Sequence, residues 1–167
     1  MSLFGQKYKT LRDLYIHELK DLYSAETQIT KALPKMKTSA SSESLKQAFE
    51  THLRETENQV QRLETIGQKL GESLTGHTCE AMKGLVTESS DWISEDAEPA
   101  VKDAGLLAAA QRVEHYEMAG YGTARTYAEL LGEKEAAGLL QQTLDEEGAT
   151  DKKLTALSQT INASAAR

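Results

Sequence analysis

Cysteine, proline, valine, isoleucine and long apolar runs are all scarce in this 167-residue chain, and basic residues are outnumbered by acidic ones. Its single cysteine, Cys79, excludes an intramolecular disulfide and any cysteine-rich zinc or iron–sulfur site. Any metal would have to be held by oxygen and imidazole ligands. Lys and Arg total 19 against 26 Asp and Glu, a formal charge of −7. That balance argues against nucleic acid, whose phosphates want a basic face, and against docking on an anionic membrane surface. No run approaches the ~20 apolar residues of a membrane span. The opening MSLFGQKYKTLRD lacks the apolar stretch of a signal peptide, so a cytoplasmic location is expected. Val and Ile number 4 and 5 against 21 Leu and 21 Ala. Strand formers are rare and helix formers abundant, which predicts an all-α fold.

The helices can be placed from their end signals and apolar stripes. Thr10 to Asp13 has capping-box form and opens a first helix with the stripe Leu11, Leu14, Tyr15, Leu22, Ile29, Leu33 and Met36. Pro34 should kink or end it. A polar break at Ser39 to Ser42 caps a second helix from about Glu43 to Leu70, stopped by Gly71. After the loop GESLTGHT, residues 79–96 read as a shorter helix. Pro99 suits the first turn of the next long helix, which runs to about Leu131 with Gly132 as its cap. The last spans roughly Glu133 to Ser158, and NASAAR is expected to fray. Two tight hairpins are thus joined by about 28 residues, long enough to travel the length of a bundle. One domain over residues 1–167, ordered from about 8 to 160, is expected. Its architecture would be a ferritin-like four-helix bundle whose long crossover contains a shorter fifth helix.

The informative residues interrupt the stripes. Glu26 stands between Leu22 and Ile29; His52, Glu55, Thr56 and Gln59 lie between Phe49 and Leu63. Glu114 and Glu117 precede Met118 and Tyr121, and Glu147 and Asp151 lie between Leu144 and Leu154. A lone glutamate on a stripe usually marks a boundary residue that reaches water. Four helices with the same interruption at matched depth point instead to a shared layer. Buried carboxylates repel one another and lose hydration, so they need protons, basic partners or cations. Arg125 is the one strong basic candidate on an inward face, too little for the cluster. A pair of divalent metals would satisfy it, and carboxylate oxygens with one imidazole suit iron or manganese better than copper. His52, three residues from Glu55, is a ligand candidate; Glu146 points about 100° away from Glu147. Gln59, Asp151 and Tyr121 are expected one layer out. His17, His77 and His115 look peripheral.

The stretches LYSAETQITKAL, QAFETHLRETENQ, LLAAAQRVEHYEMAGYGT and LLQQTLDEEGATDKKLTAL carry a resemblance. Through them the chain, from about residue 8 to 160, resembles the YciF-like group of bacterial ferritin-like stress proteins. The resemblance implies a ferritin-like bundle, often dimeric, with a rubrerythrin-like two-metal site and a link to stress responses. By that correspondence Glu26 is the first-helix ligand, Glu55 the bridging carboxylate of the second helix, Glu114 and Glu117 the paired carboxylates, and Glu147 the last-helix ligand. The pattern departs from the usual Glu-x-x-His pairs, because Asn58 and Thr150 stand three residues beyond Glu55 and Glu147. No Cys₄ module accompanies the bundle, so electrons would need a separate partner.

The function expected is therefore that of a stress-associated dinuclear carboxylate protein, oxidising Fe(II) with oxygen or peroxide or removing peroxide. Glu55 and Glu147 would bridge the metals, with Glu26 and Glu114 terminal and Glu117 able to swing in. The alternative is a non-enzymatic helical stress protein or dimer with a vestigial site. Axial rise along parallel first and last helices also predicts two contacts, His52 with Asp151 above the layer and Glu18 with Arg125 below it.

Overall fold

Five helices account for most of the molecule: α1 Leu11–Ser39, α2 Glu43–Leu70, α3 Glu80–Ser94, α4 Pro99–Leu130 and α5 Lys134–Ala165. The computed structural model describes residues 8–167. The reading of the first seven residues as leaderless lies outside them. Among the described residues no helix is long and apolar enough to cross a membrane.

The helix ends follow local chemistry. Asp13 N donates to Thr10 Oγ1 at 3.2 Å while Asp13 Oδ2 accepts from Thr10 N at 2.9 Å, completing the capping box. Ser42 Oγ accepts from Leu45 N at the start of α2, and Gly71 ends that helix with φ +70°. A left-handed residue there favours glycine. Pro34 does not end α1, which continues one turn further. The buried side chains of Leu33 and Met36 hold that turn against the core, and Ala40 N closes it on Met36 O at 3.0 Å. Likewise the expected fray after Ser158 does not occur. The alanine-rich tail stays helical to Ala165, with Ile161 buried among the core residues.

Contacts at both ends fix the directions. Ser41 and Ser42 meet Asp103 at one end of α1 and α4, and Arg12 lies 3.6 Å from Glu133 at the other, so these helices are antiparallel. Gln59 meets Glu147 and Lys69 meets Glu135, so α2 and α5 are antiparallel too. With tight hairpins α1–α2 and α4–α5, α1 then runs parallel to α5. The crossover helix α3 lies on the flank of α1 and α4. Gln28 Nε2 donates to Cys79 O at 3.1 Å, and the ring of Trp92 sits where a Cβ on Gly105 would be, 2.3 Å from Trp92 Cδ2. This close approach requires glycine.

The apolar core is divided. One cluster gathers Ile29, Leu33, Leu45, Phe49, Leu106 and Leu154; the other gathers Tyr15, Leu19, Leu22, Leu63, Ile66 and Leu140. A polar layer separates them.

Asp103 ties α4 to the α1–α2 turn. It is buried and accepts from Ser41 N at 2.7 Å, Ser41 Oγ at 2.6 Å and Ser42 N at 2.8 Å. Asp103→Ala strands these donors and should lower unfolding free energy by about 2–3 kcal/mol, with Asp103→Asn losing less. Urea unfolding followed by circular dichroism measures both; equal stability of parent and alanine variant would contradict this account of the turn.

Candidate metal centre

The polar layer is built from one short segment of each long helix. α1 supplies Glu26, α2 supplies His52, Thr56 and Gln59, α4 supplies Glu114 and Glu117, and α5 supplies Thr143, Glu147 and Thr150, all buried. One ligand atom from each of His52, Glu114, Glu117 and Glu147 lies within 4.8 Å of the other three. Glu26 completes the layer from α1: Tyr121 Oη donates to its Oε1, and it lies within hydrogen-bonding reach of Glu117. Glu114 and Glu147 stand in the same relation. Glu55 is different. Its carboxylate is 36% exposed and sits at the rim, 4.0 Å from His52 Nδ1.

Burial dominates the electrostatics. It pushes the carboxyls of Glu26, Glu114 and Glu117 well above the usual range, and the neighbouring glutamates push Glu114 and Glu117 further. Glu147 rises to about 7, chiefly through burial, while the neighbouring Glu114 and the Gln59 amide hold it down. Burial also drives His52 down to about 4, so its ring is neutral at pH 7. His52 Nε2 lies 3.3 Å from Glu114 Oε1. Neither ring nitrogen makes a hydrogen bond, so the approach is one of distance without alignment.

The basic partner nearest the layer is not the one expected from sequence. Arg125 reaches Gln141 Oε1 at 2.8 Å and lies 3.9 Å from Glu129, away from the cluster. Arg62 is the cation whose charge reaches Glu26 and Glu147. It stands seven residues after Glu55, hence on nearly the same face of α2. That spacing is the signal that could have found it. Arg62 is committed to Glu146, with Nη1 2.6 Å from Oε2 and Nη2 2.7 Å from Oε1.

Neither of the two expected pairs forms. Asp151 accepts instead from Gln111 Nε2 at 3.3 Å and from exposed His115 at 3.2 Å, on the outer α4–α5 seam. His52 faces Glu114 across the centre. Glu18 turns toward Gly120 of α4, whereas Arg125 turns toward α5. The helix directions agree with expectation. The error is angular: four residues advance a side chain ~40° beyond a full turn, which carries Asp151 out of the layer. Tyr121 and Gln59 do adjoin the carboxylates, Gln59 Nε2 lying 2.5 Å from Glu147 Oε1.

The donor set suits a hard divalent cation. Glu26 Oε2, Glu114 Oε2, both oxygens of Glu117, Glu147 Oε2 and both nitrogens of His52 are buried without a hydrogen-bond partner. Unpaired buried polar atoms are costly, and so many in one place call for a shared proton or a bound ion. His52, Glu114, Glu117 and Glu147 together could hold a metal ion.

Comparison with known proteins places this geometry. The family described as a domain of unknown function, DUF892, matches residues 10–166. Protein YciF of Escherichia coli (strain K12) is 48% identical over 151 residues, covering 90% of this chain and 91% of that protein. The crystal structure of the E. coli stress protein YciF superposes with a TM-score of 0.90 at 46% identity, covering 93% of this chain and 99% of that one. YcfI from Rhodopseudomonas palustris gives 0.87 at 43% identity, with 92% and 98% covered. A protein from Xanthomonas campestris pv. campestris gives 0.75 at 19% identity, with 92% and 94% covered, and shares the fold.

The shifted carboxyls make the metal-free protein sensitive to pH. Between pH 4.5 and about 7 the unfolded chain releases the Glu147 proton while the folded chain keeps it, so stability falls as pH rises through this window. Glu26, Glu114 and Glu117 act in the same direction. His52 opposes them only between about 4 and 6.5, where the unfolded ring takes a proton that the folded one does not. Four carboxyls acting in one direction outweigh one imidazole. The melting temperature of chelator-treated protein should therefore drop from pH 5 to pH 8, and excess Mn²⁺ should flatten the drop. A melting temperature that rises over this range would reverse the assignment.

Proposed function

The chain belongs to the DUF892 family, and from that premise we propose that it is a stress-associated protein holding divalent iron or manganese at the centre of its bundle. One observation carries the reading: a dry layer of four buried glutamates and one neutral histidine, with seven unpaired polar atoms. The stress association rests on similarity to the E. coli stress protein YciF. A pair of such ions supplies a redox couple, and the reaction proposed is oxidation of Fe(II) by oxygen or peroxide, or removal of peroxide.

The chain's own residues have separable tasks in this reading. Glu26, Glu114, Glu117, Glu147 and His52 would hold the ions, and Glu55 would close the set from the rim. Glu117 offers both oxygens, while Glu147 offers Oε2 alone, because Gln59 takes its Oε1. Tyr121 fixes the rotation of Glu26 by donating to one oxygen. The two apolar clusters keep water from the layer on both sides. With one cysteine in the chain, electrons for repeated turnover would come from a separate partner. We also read the protein as a homodimer, as the resemblance implies.

A second reading is a helical stress protein with a weak or vestigial site. Asn58 and Thr150 at the positions where histidine is usual, and the half-exposed Glu55, favour it.

Metal content separates the readings. Protein purified without chelators, or loaded anaerobically with Fe(II), should carry about two equivalents. Glu117→Ala and Glu147→Ala should abolish binding while far-ultraviolet circular dichroism stays helical. The loaded parent should oxidise added Fe(II) faster than either variant. Parent protein that holds no iron or manganese after loading would leave the vestigial reading standing.

A further inference from the structure

Arg62, Glu146 and Gln59 form a continuous hydrogen-bonded relay that ends on Glu147. The Arg62 fork takes both oxygens of Glu146, at 2.6 and 2.7 Å, and Nη1 also reaches Thr143 Oγ1 at 3.1 Å. Two parallel charge-assisted bonds fix the plane of a carboxylate as well as its position. Glu146 Oε2 then accepts from Gln59 Nε2 at 3.2 Å, and the same nitrogen donates to Glu147 Oε1 at 2.5 Å. Both N–H groups of the amide are thereby used. Flipping it would press its oxygen against the Arg62-paired Glu146 carboxylate, although as placed that oxygen is buried without a partner.

The result at Glu147 is specific. Its Oε1 is held toward α2, and its Oε2 remains buried and unpaired. We infer that Arg62, acting through Glu146 and Gln59, is a positioning residue that makes Glu147 a single-oxygen ligand of a divalent cation. This rests on the metal-binding reading above. It assigns to Arg62 and Glu146 a role that lies outside the ligand set, and it differs from the bridging role that the expected function gave Glu147. Without the fork, Glu146 is free to swing toward solvent, the amide loses one of its two anchors, and Glu147 can turn its second oxygen inward. A plain α2–α5 staple would have no such consequence for coordination.

The test uses Co²⁺ as a visible probe of coordination in the full-length protein. Arg62→Met keeps the packing of the stem and removes the fork. It should weaken Co²⁺ binding about 10–100-fold, as loss of outer partners of metal ligands does. It should also shift the position and intensity of the visible Co²⁺ bands, which report ligand number and geometry. Gln59→Leu should do the same. The double variant should be no worse than Gln59→Leu alone, because the two residues act in series. If Arg62→Met is folded and binds Co²⁺ with the parent's affinity and spectrum, or if the two losses add, the relay is wrong. If Gln59→Leu does not fold, the affinity and spectrum of Arg62→Met still decide. Parent protein without Co²⁺ affinity would sink the metal reading and this inference together.

Discussion

Desolvation of carboxylates in the middle of the bundle is the constraint on which the rest of the structure depends. Glu26, Glu114, Glu117 and Glu147 are each no more than 1% exposed. Four such groups cannot all be ionised side by side in a dry core. The metal-free protein answers with protons, and the direction of every carboxyl shift in the layer says so. Protons leave a poor fit, since a carboxyl with a proton still has oxygens without partners. A divalent cation would answer the charge and the unpaired oxygens at once. Binding it to the folded state alone adds its free energy to folding. In this bundle, stability and site chemistry are therefore one quantity seen from two sides.

The division of the apolar core follows from the same constraint. A polar layer contributes no hydrophobic stabilisation, so the helices must be clamped above and below it. The cluster around Phe49 and Leu107 does this at one end, and the cluster around Tyr15 and Ile66 at the other. Asp103 and the box at Thr10 secure the ends further out. Clamped at both ends, the middle cannot collapse to relieve its unpaired groups. Such a layer is preorganised, which a metal site with fixed ligand separation requires.

Much of this was legible in the sequence, and what was not has a common cause. Period and punctuation place helices: Thr10, Ser42, Gly71 and Pro99 mark ends that the structure keeps to within a residue. Interrupted stripes place depth: Glu26, His52, Glu114, Glu117 and Glu147 read as inward and are buried, whereas Glu55 reads the same way and lies at the rim. Tail helicity was misjudged because Ile161 docks on residues far away in sequence, which a local pattern does not show. The pairings failed because they depend on angle around each helix as well as on height along it. Asp151 and Glu147 are one turn apart, yet one turns to the outer seam and the other to the centre. Arg62 escaped notice because the stripe was followed to its apolar neighbour Leu63, and a cation beside an apolar residue reads as surface until its partner Glu146 is known.

The layer is also asymmetric about the bundle axis. On the α1–α4 flank the crossover covers it: Tyr116 Oη donates to Asp21, lies 3.0 Å from Cys79 Sγ, and His77 closes on the same Asp21 at 3.0 Å. These groups satisfy one another and seal that side. On the α2–α5 flank stand Glu55 and Glu146, with carboxylates 36% and 26% exposed. The layer is therefore flanked by partly exposed carboxylates on this side, and the Arg62 fork holds one of them in place. The long connection between the hairpins thus does more than reverse the chain. By laying α3 on one flank, it leaves Glu55 and Glu146 partly exposed on the other.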